Sequence, residues 1–120
     1  MTAAKRYADI APSAPHALHM PSHIFTRVGA WQASVATNRR SAAAAMAEKE
    51  GSGALHAMDY LVYAQLQLAN DKDAAAVMQE ASQNKVANPN IVSSWYSLAA
   101  IPARMTIERG LWKEAAQLEV

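Results

Sequence analysis

PSHIFTRVGAW, residues 21–31, recurs as PARMTIERGLW, residues 102–112: in each, glycine follows the proline by eight positions and tryptophan follows the glycine by two. The copies lie 81 residues apart. Midway between them, Asn70-Asp71-Lys72-Asp73-Ala74-Ala75 takes the place of Gly29-Ala30-Trp31-Gln32-Ala33-Ser34 and of Gly110-Leu111-Trp112-Lys113-Glu114-Ala115, with Asn70 standing for the turn glycine. The implied period is 40 to 41 residues, the length of a helical hairpin repeated along the chain. A second landmark agrees, because Pro12 precedes Leu18 by six residues as Pro89 precedes Trp95 by six.

Between these landmarks the chain breaks into helix-length segments, at residues 11–14, Gly29, 50–53, 70–72, 88–90 and Gly110, and strand-like alternation is absent. Lys5 to Ile10 reads as the end of a helix. Gln32 to Lys49 reads as a long Ala-rich helix with Gly51-Ser52-Gly53 as its C-terminal stop. Leu55 to Leu68 carries apolar residues at 55, 58, 61, 62, 66 and 68, spacing that suits a helix buried on more than one side. Asp71 or Asp73 is expected to cap a helix reaching about Lys85, and Ile91 to Arg109 and Leu111 onward give the last two.

Composition narrows the function. The 120 residues are 52% apolar, with much of that alanine, and only 7% aromatic, so the expected interior is one of closely packed helices with small side chains. Eleven basic and ten acidic residues leave a formal charge of +1, and the one dense basic spot is Arg39-Arg40, so a nucleic-acid partner is not implied. The chain has no cysteine, which removes disulfides and thiolate metal sites. No apolar run approaches the ~20 residues of a membrane span, and residues 1–15 lack the apolar segment of a secretory signal. The default expectation is a cytoplasmic protein without a membrane partner.

The turn Gly110-Leu111-Trp112-Lys113-Glu114-Ala115, its weaker copy at Gly29 and the run Trp95-Tyr96-Ser97-Leu98-Ala99 resemble the tetratricopeptide repeat, whose signature has a glycine turn, a following aromatic and an opening W-x-x-L-G. More narrowly, PHALHMPSHIF (15–25), HAMDYLVYAQLQ (56–67) and IPARMTIERG (101–110) resemble long bacterial tetratricopeptide-repeat proteins of obscure function. The resemblance covers nearly the whole chain. It implies an all-α, TPR-like α-α superhelix and an internal fragment of a longer protein: residues 1–14 ending a preceding repeat, 15–53 and 54–90 as full repeats, and 91–120 as a partial one. It departs from the family in its longer period, in Pro102 where an aromatic is expected, and in a middle repeat lacking both Gly and Trp.

PHALHMPSHIF holds three of the four histidines, His16, His19 and His23, three and four residues apart, which on a helix makes one stripe. Leu18 takes the packed position that Trp95 takes in its own repeat, and Trp31, Trp95 and Trp112 are expected to pack between helices. First helices of such arrays line a concave groove, so the resemblance directs His16, His19, His23 and Arg27 to that surface. His56, Asp59, Tyr60, Tyr63 and Gln67 follow from the next first helix, and Tyr96 and Arg104 from the third. A groove of imidazole, phenol and amide with arginine at its edge suits a peptide, a protein segment or a small polar or anionic ligand. Pro21 and Pro102 are expected to kink their helices rather than begin them.

Two sharper chemistries compete with plain binding. His56 and Asp59, three apart, form a candidate hydrogen-bonded acid/base pair. A metal centre would draw on His16 with His19, or His19 with His23, joined by His56 or Asp59 from the neighbouring helix; three histidines strung along one helix cannot converge on one ion, so no resident cofactor is expected and a divalent metal is kept as the alternative. Neither a Gly-x-Ser-x-Gly elbow nor a phosphate-binding Gly loop is present, which leaves nucleophilic and nucleotide chemistry unsupported. A ligand-binding module is therefore favoured over an enzyme, with homo-oligomerisation through uncovered solenoid ends as a third reading.

Overall fold

A computed structural model describes residues 2–85 and 87–118. The described residues fold into helices α1 (Thr2–Ile10), α2 (Pro15–His19), α3 (Pro21–Arg27), α4 (Trp31–Ala47), α5 (Gly51–Gln67), α6 (Asp71–Ser82), α7 (Val92–Ile107) and α8 (Trp112–Ala115), with no strand among them. None of these helices is long and apolar enough to cross a membrane. Met1 of the expected preceding repeat, Val86 of the expected 54–90 repeat, and Glu119 and Val120 of the expected partial repeat lie outside the described residues.

Four tight turns organise the chain. The N–H groups of Ala30, Glu50, Asn70 and Leu111 donate to the carbonyls of Phe25, Ala45, Gln65 and Thr106 at 2.8, 2.8, 2.9 and 2.9 Å. In each case the residue before the donor has positive φ: Gly29 at 71°, Lys49 at 60°, Ala69 at 57° and Gly110 at 64°. This is the Schellman ending, which satisfies the last carbonyls of one helix and leaves three or four residues before the next. Helices joined so closely become antiparallel neighbours. The turn residue equivalent to Gly29 and Gly110 is thus Ala69, one position earlier than the expected Asn70, which instead occupies the N-cap without a side-chain cap bond.

Other expected boundaries move for the same reason. Because Lys49 already ends α4, Gly51-Ser52-Gly53 forms the first turn of α5 rather than a stop. Asp71 and Asp73 lie within the first turn of α6 and cap nothing, and α6 ends at Ser82 rather than near Lys85. Pro21 separates α2 from α3, yet Met20 between them keeps helical angles (φ −50°, ψ −39°), so the chain bends there without reversing. Pro102 lies inside α7.

Helix α5 is the centre of the molecule: eleven of its 17 residues are buried, far more than one face can supply, as its apolar spacing predicts. It packs against α4, α6 and α7. The core joins Leu55, Met58, Leu61, Val62 and Leu66 of α5 to alanines 42 and 45 of α4, Ala74 and Val77 of α6, and Ile101 of α7. Alanine at these contacts lets helix axes come close, so dispersion between backbones replaces bulky side chains.

The tryptophans depart from expectation. Trp31 is half-buried and meets Tyr63 edge-on at 5.7 Å, but Trp95 and Trp112 are 59% and 67% exposed. Leu18 is buried at the position matched to Trp95, because α4 lies over α2. Trp95 lies on α7, which packs against α5, α6 and the short α8, and its indole N–H reaches only the Pro89 carbonyl at 2.7 Å.

Candidate functional site

The histidine stripe of α2 and α3 meets a polar stripe on α4. Ser34, Asn38 and Ser41, spaced four and three apart, are all buried on the face turned toward α2 and α3. Ser41 donates its hydroxyl to the Pro15 carbonyl at 2.7 Å, and Thr26 and Ser34 share a 3.3 Å hydroxyl contact. Asn38 completes the seam: its amide nitrogen donates to the Ser34 carbonyl at 2.9 Å, so its oxygen must face the other way, 2.7 Å from His19 Nδ1.

That orientation fixes a proton. A carbonyl oxygen only accepts, so His19 Nδ1 carries the hydrogen and Nε2 keeps a free lone pair. The lone pair points at His23 Nε2, 3.1 Å away. His56, from α5, closes the group with its ring 4.4 Å from His19 and 6.3 Å from His23 between centroids. One nitrogen from each of His19, His23 and His56 falls within 4.8 Å of the others. Tyr60 lies edge-on beside the cluster, its centroid 5.0, 4.9 and 5.6 Å from those of His19, His23 and His56.

Burial keeps these imidazoles neutral. It depresses His19 to about 4, the Asn38 hydrogen bond opposing and the neighbouring histidines adding to the shift. His23 and His56 are also lowered, again by burial first, with Asp59 partly offsetting the effect at His56. Tyr60 is raised by burial and by the nearby Asp59 charge, so it stays a phenol.

Beside the cluster opens a cleft of about 640 Å³, lined by His23, Thr26, Arg27, Tyr60, Tyr63 and Arg104 together with Ile24. Arg104 is committed: its Nε and Nη2 donate to the two oxygens of buried Asp59 at 2.5 and 3.1 Å, and its guanidinium lies 5.0 Å from the Tyr63 ring centre. The carboxylate holds Arg104 above its ordinary range. Arg27 is exposed on the rim and, among the described residues, has no carboxylate partner.

Of the residues expected on the groove, the structure brings His23, Arg27, Tyr60, Tyr63 and Arg104 to one cleft. His16 is exposed on the first turn of α2, outside the three-histidine cluster. His19 is 1% exposed and so is part of the interior rather than of an open surface, since α2 is pressed onto α4 and α5. The His56–Asp59 pair is replaced by the Asp59–Arg104 pair, because α7 brings a guanidinium that satisfies both carboxylate oxygens; this also takes Asp59 out of the metal candidates. Gln67 donates to Glu108 at 2.7 Å, and Tyr96 is 60% exposed on α7.

Sequence reading missed Asn38 and Ser34, which hold the imidazole in place. Their signal was available: a polar residue every third or fourth position in a helix otherwise rich in alanine marks a face that must find partners. The class these observations define is an all-α protein with a seam of neutral histidines beside a cationic cleft. No family model, curated protein or solved structure matches the chain.

Proposed function

We propose that this chain is a ligand-binding module of tetratricopeptide-like helical repeats, whose cleft between α3, α5 and α7 takes a small anionic ligand. The repeat reading is supported by the turns at 29, 69 and 110, which share one backbone geometry at spacings of 40 and 41 residues. The observation that carries the anionic ligand is Arg27, which among the described residues has no carboxylate partner and stands at the edge of a cleft also lined by Arg104, Tyr60, Tyr63 and Thr26. A carboxylate or phosphate there gains charge-assisted hydrogen bonds that water cannot match in number or direction. The cleft volume of about 640 Å³ suits a small molecule rather than a folded domain.

Thermal unfolding in graded inorganic phosphate and in succinate tests the reading. Binding to the folded state alone raises the midpoint with concentration. Arg27→Ala removes that rise without changing the midpoint in ligand-free buffer, since the side chain is exposed. No midpoint shift with either anion, or an equal shift in Arg27→Ala, sinks the proposal.

A further inference from the structure

We infer that His19, His23 and His56 form a binding site for a divalent transition-metal ion of the zinc type, three imidazole nitrogens holding the ion and a fourth position facing the Tyr60 side of the cleft. The inference stands apart from the anion reading, because it rests on the cluster and not on Arg27.

Three features converge. The first is spacing: zinc–imidazole bonds of about 2.0–2.1 Å in a tetrahedron put ligand nitrogens about 3.3 Å apart. His19 Nε2 and His23 Nε2 are already 3.1 Å apart, and all three donors lie within 4.8 Å, so His56 closes on the ion by a side-chain adjustment of one to two ångströms. His56 is half-buried and, among the described residues, its ring nitrogens bond no protein group, so nothing holds it back.

The second is orientation. A metal-ligating histidine donates its other ring N–H to a carbonyl, which fixes the tautomer and presents the lone pair. Asn38 does this for His19, and the Ser34 carbonyl in turn fixes Asn38. This two-step brace aims Nε2 of a fully buried imidazole at His23, with the His56 ring alongside.

The third is charge and access. Neutral imidazoles without thiolate or carboxylate favour zinc, cobalt, nickel or copper over magnesium or calcium. Asp59, which would otherwise add a hard oxygen, is bound by Arg104. His23 and Tyr60 border the cleft, while His19 and His56 line a second, smaller pocket of about 130 Å³, so solvent reaches the cluster. On binding, His23 releases its Nε2 lone pair to the ion by moving its proton to Nδ1, an exchange that solvent can carry because His23 is not fully buried.

The test is titration of chelator-treated, dialysed protein with Zn²⁺ by calorimetry, with Co²⁺ absorption as a report on geometry. One ion per chain, a raised unfolding midpoint and the visible bands of tetrahedral Co²⁺ are expected. His23→Gln and His56→Gln, at positions that are not fully buried, each weaken Zn²⁺ binding at least tenfold while circular dichroism stays helical. His16→Ala binds as the parent does. Failure of the folded parent to bind Zn²⁺ at 100 μM overturns the assignment, as does binding that survives both glutamine variants or is lost equally in His16→Ala.

Discussion

His19 on α2 and Asn38 on α4, nineteen positions apart in the chain, are joined by a 2.7 Å hydrogen bond in which the imidazole Nδ1–H donates to the amide oxygen. The bond joins two fully enclosed side chains from different helices, and it sets which histidine nitrogen faces the cluster. In the metal-free protein, nitrogen NMR of the imidazole is expected to show His19 as the Nδ1–H tautomer. Asn38→Ala leaves that buried N–H with only the Ser22 hydroxyl, 3.4 Å away, which costs about 1–3 kcal/mol of stability and lets the tautomer shift toward Nε2–H. A parent spectrum already dominated by Nε2–H contradicts the bond.

The same burial makes stability depend on pH. His19 binds a proton near 6.5 when unfolded but only at about 4 when folded, so between these values the unfolded chain holds more protons. For metal-free protein, stability is therefore full above about pH 6.5 and declines as pH falls, by on the order of 2–3 kcal/mol at pH 4.5. His23 and His56, lowered in the same direction, add to the decline. Urea midpoints in EDTA measured from pH 7.5 to 4.5 check this, and His19→Asn should flatten the curve. A flat parent profile would refute it.

Two arginines of α7 and its following turn make ion pairs of very different worth. Arg104 pairs with Asp59, whose side chain is 1% exposed, whereas Arg109 pairs with exposed Asp71. Arg104→Ala strands a buried carboxylate and is expected to cost about 3 kcal/mol. Arg109→Ala also loses a 2.8 Å bond to the Leu66 carbonyl but is expected to cost clearly less than Arg104→Ala, because its carboxylate partner is in water. Denaturant unfolding of both variants decides the order.

The four turns divide by residue type. Gly29 and Gly110 tolerate positive φ, while Lys49 and Ala69 adopt it at a cost of about 1 kcal/mol each. Lys49→Gly and Ala69→Gly are thus expected to raise the unfolding midpoint slightly or leave it unchanged. Gly29→Ala should lower stability by about 1 kcal/mol through backbone strain, since an added Cβ would meet only Trp31 Nε1 at 3.9 Å. Similar losses on introducing glycine at 49 and at an ordinary helical position would show that the turn geometry is not as described.

Helical class and the 40-residue spacing of turns could be read along the chain, because each depends on local causes: the glycines at 29 and 110, the prolines at 12 and 89, and the spacing of apolar residues on α5. Pro12 and Pro89 each fall three residues before the next helix, at Pro15 and Val92. Turn positions without glycine were misplaced by one residue at Ala69, where a left-handed conformation is imposed by the helix packing on both sides rather than by the residue itself.

The site divides along the same line. Sequence alone determined that His16, His19 and His23 share a stripe and that His56, Tyr60 and Tyr63 share another, because helical periodicity is a property of one segment. Only tertiary structure decided which of them meet. Packing of α2 on α4 buried His19 against Asn38, the approach of α5 added His56 and excluded His16, and α7 delivered Arg104 to claim Asp59. Contacts between helices depend on interaxial distance and rotation, which many side chains set together and no single stretch of sequence encodes.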